Sequence, residues 1–349
     1  MVKRECELEN KKMRWSSMLK NVDEIVEAFS KENYVSGNLL ISRGGKEEFS
    51  RSFGQASIQL GVPNMLDTKF HIASVTKMVI AAAILKLYEQ GLIDLENHPG
   101  KYVEKFNVLH PKINIHHLLS HSSGLQDIYG VPNLRFEMSR LQVENQDFID
   151  YLTRLKQQFN PGEQWSYNST GFIMLGYIIE AVTGMKYEEV LHTWFFAPLK
   201  MSSTGLDNPR KITLGRAYGH TLENGKIANA DNDKLSGIEA PGELYSTVHD
   251  LDRWCEALFK GELLQPETMD KMFTPYYVTS FDPNLNYGYG WFLGTDFRLI
   301  GGGTPGFRSE IWYYPASDLR IIMLWNYEKV DSHQLFHRMK PVLFGMQQQ

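Results

Sequence analysis

Residues 70–88 read Phe70-His71-Ile72-Ala73-Ser74-Val75-Thr76-Lys77-Met78-Val79-Ile80-Ala81-Ala82-Ala83-Ile84-Leu85-Lys86-Leu87-Tyr88. From Met78 onward the run is apolar nearly all round, which marks a helix buried in a core rather than one laid on a surface. Gly91 follows as the stop, so the pattern predicts a helix from near Ser74 lasting about four turns. Residues three apart share a helix face, which brings the Ser74 hydroxyl and the Lys77 amine together. A serine becomes a nucleophile when a base stands beside it. A lysine serves as that base where burial or the positive end of a helix dipole disfavours an ammonium charge. The plain alternative is an N-capping serine followed by an exposed lysine. Against it, this lysine heads a segment otherwise too apolar for a surface.

The chain has 349 residues, enough for one large domain or two smaller ones. Its net charge is -5, with acidic and basic residues interspersed. No basic stripe points to nucleic acid. Cys6 and Cys255 have no metal-ligand spacing and form no framework of bridges. The first twenty residues are charged and hold no apolar signal core, and no run of 18 apolar residues occurs. The expectation is a cytoplasmic protein that binds a small molecule, with no nucleic-acid or membrane partner and no cofactor; the oligomeric state is left open.

Around this helix, Asn21 to Lys31 reads as an amphipathic helix. Gly37 to Ser42 and Glu48 to Phe53 read as strands about a Gly44-Gly45 hairpin turn. Gly61 to Thr68 is a loop that delivers the chain to Ser74, and Leu95 to Pro111 is irregular. His116, His117 and His121 raise a metal site, but no carboxylate or cysteine lies at ligand spacing, and packing or turn hydrogen bonds are the simpler reading. Phe136 to Leu155 has the pattern of a polar surface helix.

Two further stretches carry chemistry. In Asn160-Pro161-Gly162-Glu163-Gln164-Trp165-Ser166-Tyr167-Asn168-Ser169-Thr170-Gly171, the Pro-Gly turn precedes an apolar helix, Phe172 to Val182, stopped at Gly184. Asn168, Ser169 or Thr170 is its cap. Tyr167 at that helix mouth is either a packing residue or, beside a lysine, a phenol that carries a proton. In Leu299-Ile300-Gly301-Gly302-Gly303-Thr304-Pro305-Gly306-Phe307-Arg308-Ser309, three glycines either form a flexible turn or present bare N–H groups that stabilise an oxyanion.

Taken together, these motifs make the chain resemble the serine beta-lactamase and penicillin-binding-protein superfamily, in its class C beta-lactamase-like branch. That branch includes family VIII esterases, D,D-carboxypeptidases, D-aminopeptidases and some acyltransferases. The resemblance runs from about Val35 to Asn326. It rests on Ser74-Val75-Thr76-Lys77, Gly91-Leu92-Ile93-Asp94-Leu95, His117 to Leu125, Tyr167 after Pro161-Gly162, Leu244-Tyr245-Ser246-Thr247 with Asp250-Leu251, Tyr289-Gly290-Trp291, and Gly303-Thr304-Pro305-Gly306-Phe307.

The resemblance implies Ser74 as nucleophile, Lys77 and Tyr167 as the proton-transfer pair, and the N–H groups of Ser74 and Gly303 as the oxyanion hole. It places Asn168, Ser169, Ile300, Gly301, Gly302 and Arg308 at the substrate. Two motifs depart from the family. Tyr-x-Asn is usual where Tyr167-Asn168-Ser169 stands, and a Lys or His is usual at Ile300.

The expected fold is α+β. Strands from both ends of the chain (residues 20–75 and 240–345), Gly37 to Phe53 at one end and Tyr289 to Leu293, Glu310 to Tyr314 and Leu319 to Trp325 at the other, form an antiparallel sheet flanked by helices. Residues 76–239 form a mostly helical part, the site lies in the cleft, and residues 1–19 are an N-terminal extension. The expected activity is that of a serine hydrolase working through an acyl-enzyme on an ester or amide. D-amino-acid peptidase, D,D-carboxypeptidase, beta-lactamase or acyltransferase action, or a silent binding or sensor protein, are the alternatives.

Overall fold

The computed structural model describes residues 20–132, 145–208, 211–230 and 243–345. Helix α1 (residues 20–32) buries Val22, Val26 and Phe29, the apolar stripe of its sequence, against the first hairpin. That hairpin is β1 (Gly37–Arg43) and β2 (Lys46–Phe53), joined through Gly44 and Gly45 at φ 57° and 75°. Both central residues of such a tight turn need positive φ, which explains the Gly-Gly pair. A short ladder, β3 (Gln55–Ser57) with β4 (Val62–Pro63), occupies part of the stretch expected as loop. After β5 (Phe70–His71) comes helix α2 (Thr76–Glu89), then α3 (Ile115–Leu119). Helices Asn145–Thr153 and Ser169–Thr183 follow. Residues 136–144 of the expected surface helix lie outside the described residues.

The small strands β6 (Gly205–Leu206), β7 (His220–Glu223), β8 (Lys226–Asn229) and β9 (Leu244–Ser246) lead to helices Val248–Phe259 and Pro266–Met272. The remaining strands are β10 (Tyr277–Val278), β11 (Asn286–Tyr287), β12 (Phe292–Leu293), β13 (Arg298–Thr304), β14 (Phe307–Tyr314) and β15 (Leu319–Trp325). Helix Ser332–Leu343 closes the described chain.

Among the described residues eight strands form one antiparallel sheet in the order β10-β11-β12-β13-β14-β15-β1-β2, so the last described strand pairs with the first along its whole length. Both faces of the sheet are covered. Leu40, Ile300, Ile311, Ile322 and Leu324 point into the larger core, which contains α2. Leu39, Ile41, Trp312, Ile321 and Met323 meet the two terminal helices on the other side. This is the α+β architecture expected.

Two details differ from the expectation. The glycine run lies inside a paired strand, each glycine having a partner on β14. The strand expected over 289–293 is cut to Phe292–Leu293, because Gly290 turns the chain at φ 79° where it passes α2. A Cβ there would stand 3.0 Å from the Lys77 carbonyl oxygen.

Candidate active site

Ser74 lies in a 3-10 turn, Ala73–Val75, one step before α2, and it does not cap that helix. Its Oγ instead receives a hydrogen bond from Lys77 Nζ at 2.9 Å. Lys77 is only 7% exposed, so the surface-lysine alternative does not hold. The lysine was drawn in because α2 is apolar on every side, and Met78 through Leu85 are buried with it.

The turn carrying Ser74 is bent against its own preference. Ala73 sits at φ 46°, in the left-handed region where a side chain is strained. Its surroundings hold it there. Ala73 N–H donates to His71 Nδ1 at 3.2 Å, and His71 Nε2 reaches Glu243 at 2.9 Å. Asp207 stands 3.7 Å from the same nitrogen and is gripped by Arg216 through two nitrogens. On one side β5 pairs with β9, and Ile72 N–H donates to the Leu244 carbonyl. On the other, Ser309 Oγ on β14 donates to the Ile72 carbonyl at 2.7 Å. Nothing in the sequence announced the bend at Ala73 or the part His71 plays in it.

Gly302 fits the turn against the sheet. A Cβ on it would come within 2.6 Å of the Ile72 oxygen and 2.7 Å of the Ser74 nitrogen. Gly303 by contrast faces open space. The hairpin closes at Thr304↔Phe307 through Pro305-Gly306, with Gly306 at φ 81°. Counting along an antiparallel ladder from that closing pair, Gly303 turns its N–H away from β14. On that side β12 pairs only with Leu299 and Arg298. The Gly303 N–H therefore lies on a stretch of strand edge that no described strand covers, beside the residue that abuts Ser74.

Tyr167 and Phe172 flank the lysine, whose Nζ is 5.0 Å from the Tyr167 ring centroid and 5.7 Å from that of Phe172. Behind Tyr167 lies His121, ring centroids 4.4 Å apart and fully buried. Its Nδ1 accepts the Asn168 N–H, so the proton is on Nε2 and points to the Tyr287 hydroxyl at 2.9 Å. Burial holds its pKa well below the usual imidazole range. His121 is thus a neutral support for the Tyr167 loop.

The other two histidines are equally occupied. His116 Nδ1 meets the Tyr289 hydroxyl at 2.8 Å, and His117 forms a capping box with Asn114. Among the described residues no cluster of His, Cys, Asp and Glu could hold a metal ion.

Asn168, Arg308, Ser169 and Gly301, all expected at the substrate, are placed elsewhere. Asn168 is the N-cap of helix Ser169–Thr183: its Oδ1 accepts Gly171 N–H and its Nδ2 donates to the Leu125 carbonyl. Both ends of the amide are therefore consumed in the fold. Arg308 alternates with Ser309 along β14, and since Ser309 faces the Ser74 turn, Arg308 faces away and pairs with buried Glu310 at 3.2 Å. Ser169 is buried and gives its N–H to Asp127. Gly301 lies opposite Glu310, off the cleft side. Ile300 does share the face of Gly302, but it is 3% exposed and part of the larger core.

Residues 22–342 match the family model described as Beta-lactamase. The chain belongs to the beta-lactamase family. Within that family it is 27% identical to penicillin-binding protein 4* of Bacillus subtilis over 93% of this chain and 76% of that protein. Its fold matches the crystal structure of a penicillin binding protein from Bacillus halodurans, with a TM-score of 0.80, 26% identity, and 92% and 98% of the two chains covered. It also matches EstCE1, a hydrolase with promiscuous acyltransferase activity, at TM-score 0.81 with 95% and 100% covered; at 19% identity this is a likeness of fold alone. No helix among the described residues is long and apolar enough to cross a membrane.

Proposed function

We propose that this beta-lactamase-family protein is a serine hydrolase that forms a covalent acyl-enzyme and prefers neutral esters. The observation that carries the reading is the 2.9 Å contact between Lys77 Nζ and Ser74 Oγ at a buried, strained turn. In this reading Ser74 Oγ attacks the ester carbonyl while Lys77 takes its proton. The carbonyl oxygen becomes an oxyanion held by the N–H groups of Ser74 and Gly303. Tyr167, beside the lysine, passes the proton to the departing alcohol. A water molecule then attacks the acyl group on Ser74 and restores the hydroxyl.

The preference for a neutral substrate follows from charge. A substrate carboxylate gains roughly 1.5–3 kcal/mol from a charge-assisted hydrogen bond, yet Ile300 stands where the family usually has Lys or His. The charged anchors an amide-directed enzyme would use are engaged, Arg308 with Glu310 and Glu243 with His71. Short neutral esters should therefore exceed nitrocefin and D-Ala-D-Ala peptides in kcat/KM by about ten- to a hundredfold. Intact-mass detection of a fluorophosphonate adduct, lost in Ser74→Ala, tests the nucleophile. An unlabelled wild type would point to the silent binding or sensor alternative.

A further inference from the structure

Beyond Tyr167, the neighbouring side chains form an aromatic wall. Phe281, in the turn between β10 and β11, lies 6.2 Å from the Tyr167 ring and 5.2 Å from Trp165, centroid to centroid, with Trp165 edge-on. Phe292 on β12 backs it at 5.9 Å, and Tyr287 joins Phe292 to Trp165 at 5.0 and 5.7 Å. Four of these five rings are buried or half-buried, whereas Phe281 is 63% exposed. A phenylalanine held among aromatic partners but open on its outer face offers the geometry in which aromatic rings pair, offset or edge-to-face at about 4.5–7 Å. The cluster starts at the ring beside the Lys77 amine and ends at the surface.

We propose that this wall, led by Phe281, is the subsite for an aromatic leaving group, so that the preferred substrates are neutral esters of aromatic alcohols. The assignment rests on the acyl-enzyme reading above. The acyl carbon is joined to Ser74 and its oxygen is turned to the Gly303 edge. The departing oxygen must then lie next to the group that protonates it, and that group is on the Tyr167 side. What hangs from that oxygen runs along the wall that begins at Tyr167. The step balances without any co-reactant: the Ser74 Oγ–carbon bond forms, the carbon–alkoxide bond breaks, and the alkoxide leaves with the serine proton relayed through Lys77 and Tyr167. Neutrality follows from the same surface, whose rings offer no charge to a carboxylate.

The test compares benzyl acetate with ethyl acetate, which share the acyl group, and adds ethyl phenylacetate, which carries the ring on the acyl side. In Phe281→Ala the kcat/KM ratio of benzyl acetate to ethyl acetate should fall about tenfold, equivalent to about 1.4 kcal/mol. Phe281→Leu should fall in between, because it restores apolar area without the ring. An unchanged ratio overturns the subsite. So does a fall confined to ethyl phenylacetate, which would put the aromatic group on the acyl side. Binding of benzyl acetate to Ser74→Ala judges the wall separately from the hydrolase reading. If Phe281→Ala in that background weakens binding about tenfold, the wall holds whether or not wild type turns the ester over. Equal binding refutes it.

Discussion

Replacing Gly302 with alanine adds one carbon atom and should nearly silence the site. The new Cβ would lie 2.6 Å from the Ile72 oxygen, 2.7 Å from the Ser74 nitrogen and 2.8 Å from Ser309 Oγ. Non-bonded heavy atoms rest at about 3.5 Å, so something must retreat by roughly 0.8 Å. Two of the three obstacles are backbone atoms of the Ser74 turn, and that turn is pinned by β9 on its other flank. The retreat therefore opens the gap between Ser74 and β13. The Ser309 Oγ to Ile72 bond, 2.7 Å in the native chain, stretches with it. Overpacking of this kind costs about 1–3 kcal/mol of stability. The larger effect is on the two N–H groups proposed to hold the oxyanion, since spoiling one such donor lowers kcat by about 10²–10³. Gly303→Ala is the internal control, because its Cβ meets nothing within 4 Å and its backbone lies outside the left-handed region. Turnover of p-nitrophenyl acetate by folded protein, checked by circular dichroism, reads the difference. The expectation is at least a hundredfold loss in kcat for Gly302→Ala and a change of no more than about threefold for Gly303→Ala. If the two variants behave alike, the close approach of β13 to Ser74 is not what shapes the site.

Further outcomes follow from neighbouring residues. Lys77→Ala and Tyr167→Phe should each lower the acylation rate by about a hundredfold or more, and the double variant should be little worse than either, since groups that act as one unit are not additive; multiplying losses in stopped-flow acylation would separate their roles. Ile300→His should narrow the gap between esters and carboxylate substrates, whereas Arg308→Ala should leave that gap as it is, because its guanidinium is paired with Glu310 on the far face of the sheet. Acid should destabilise the fold early. Burial holds the pKa of His116 at about 4 and that of His121 well below the imidazole range. The unfolded chain therefore binds these protons first; stability is full above about pH 6.5 and is lost as pH falls towards 4. Melting temperature should already decline between pH 6.5 and 5, where ordinary carboxylates are still ionised, and a flat profile there would contradict the assignment.

Much of this was readable in the residues. An apolar run as uniform as Met78 to Leu85 leaves few options besides a core helix, and a lysine at its head has to find a partner inside. Gly44-Gly45 marks its hairpin because few other pairs adopt that turn. Other features depend on atoms distant in sequence. The role of Asn168 could not be separated from substrate binding, since a capping asparagine and a ligand asparagine have the same spacing. The direction of Arg308 required the pleat register of β14, which is set by its pairing with β15 and by Ser309 reaching Ile72. The support of Ala73 by His71 and Glu243 joins residues on either side of most of the helical segment, and no local pattern encodes it.

The pairing of β1 with β15 also sets a timetable for the molecule. The first hairpin is synthesised early, yet the neighbour that covers β1 is the last strand of the sheet. At roughly 5–20 residues per second on a ribosome, β1 waits some tens of seconds with its backbone groups unpaired on that side. Contacts this distant in sequence also make folding slow, because the loop must close before the pairing repays it. β13 and β14, which flank the Ser74 turn, emerge just ahead of β15. A nascent chain thus carries Ser74 without the strands that flank its turn until β13, β14 and β15 have emerged.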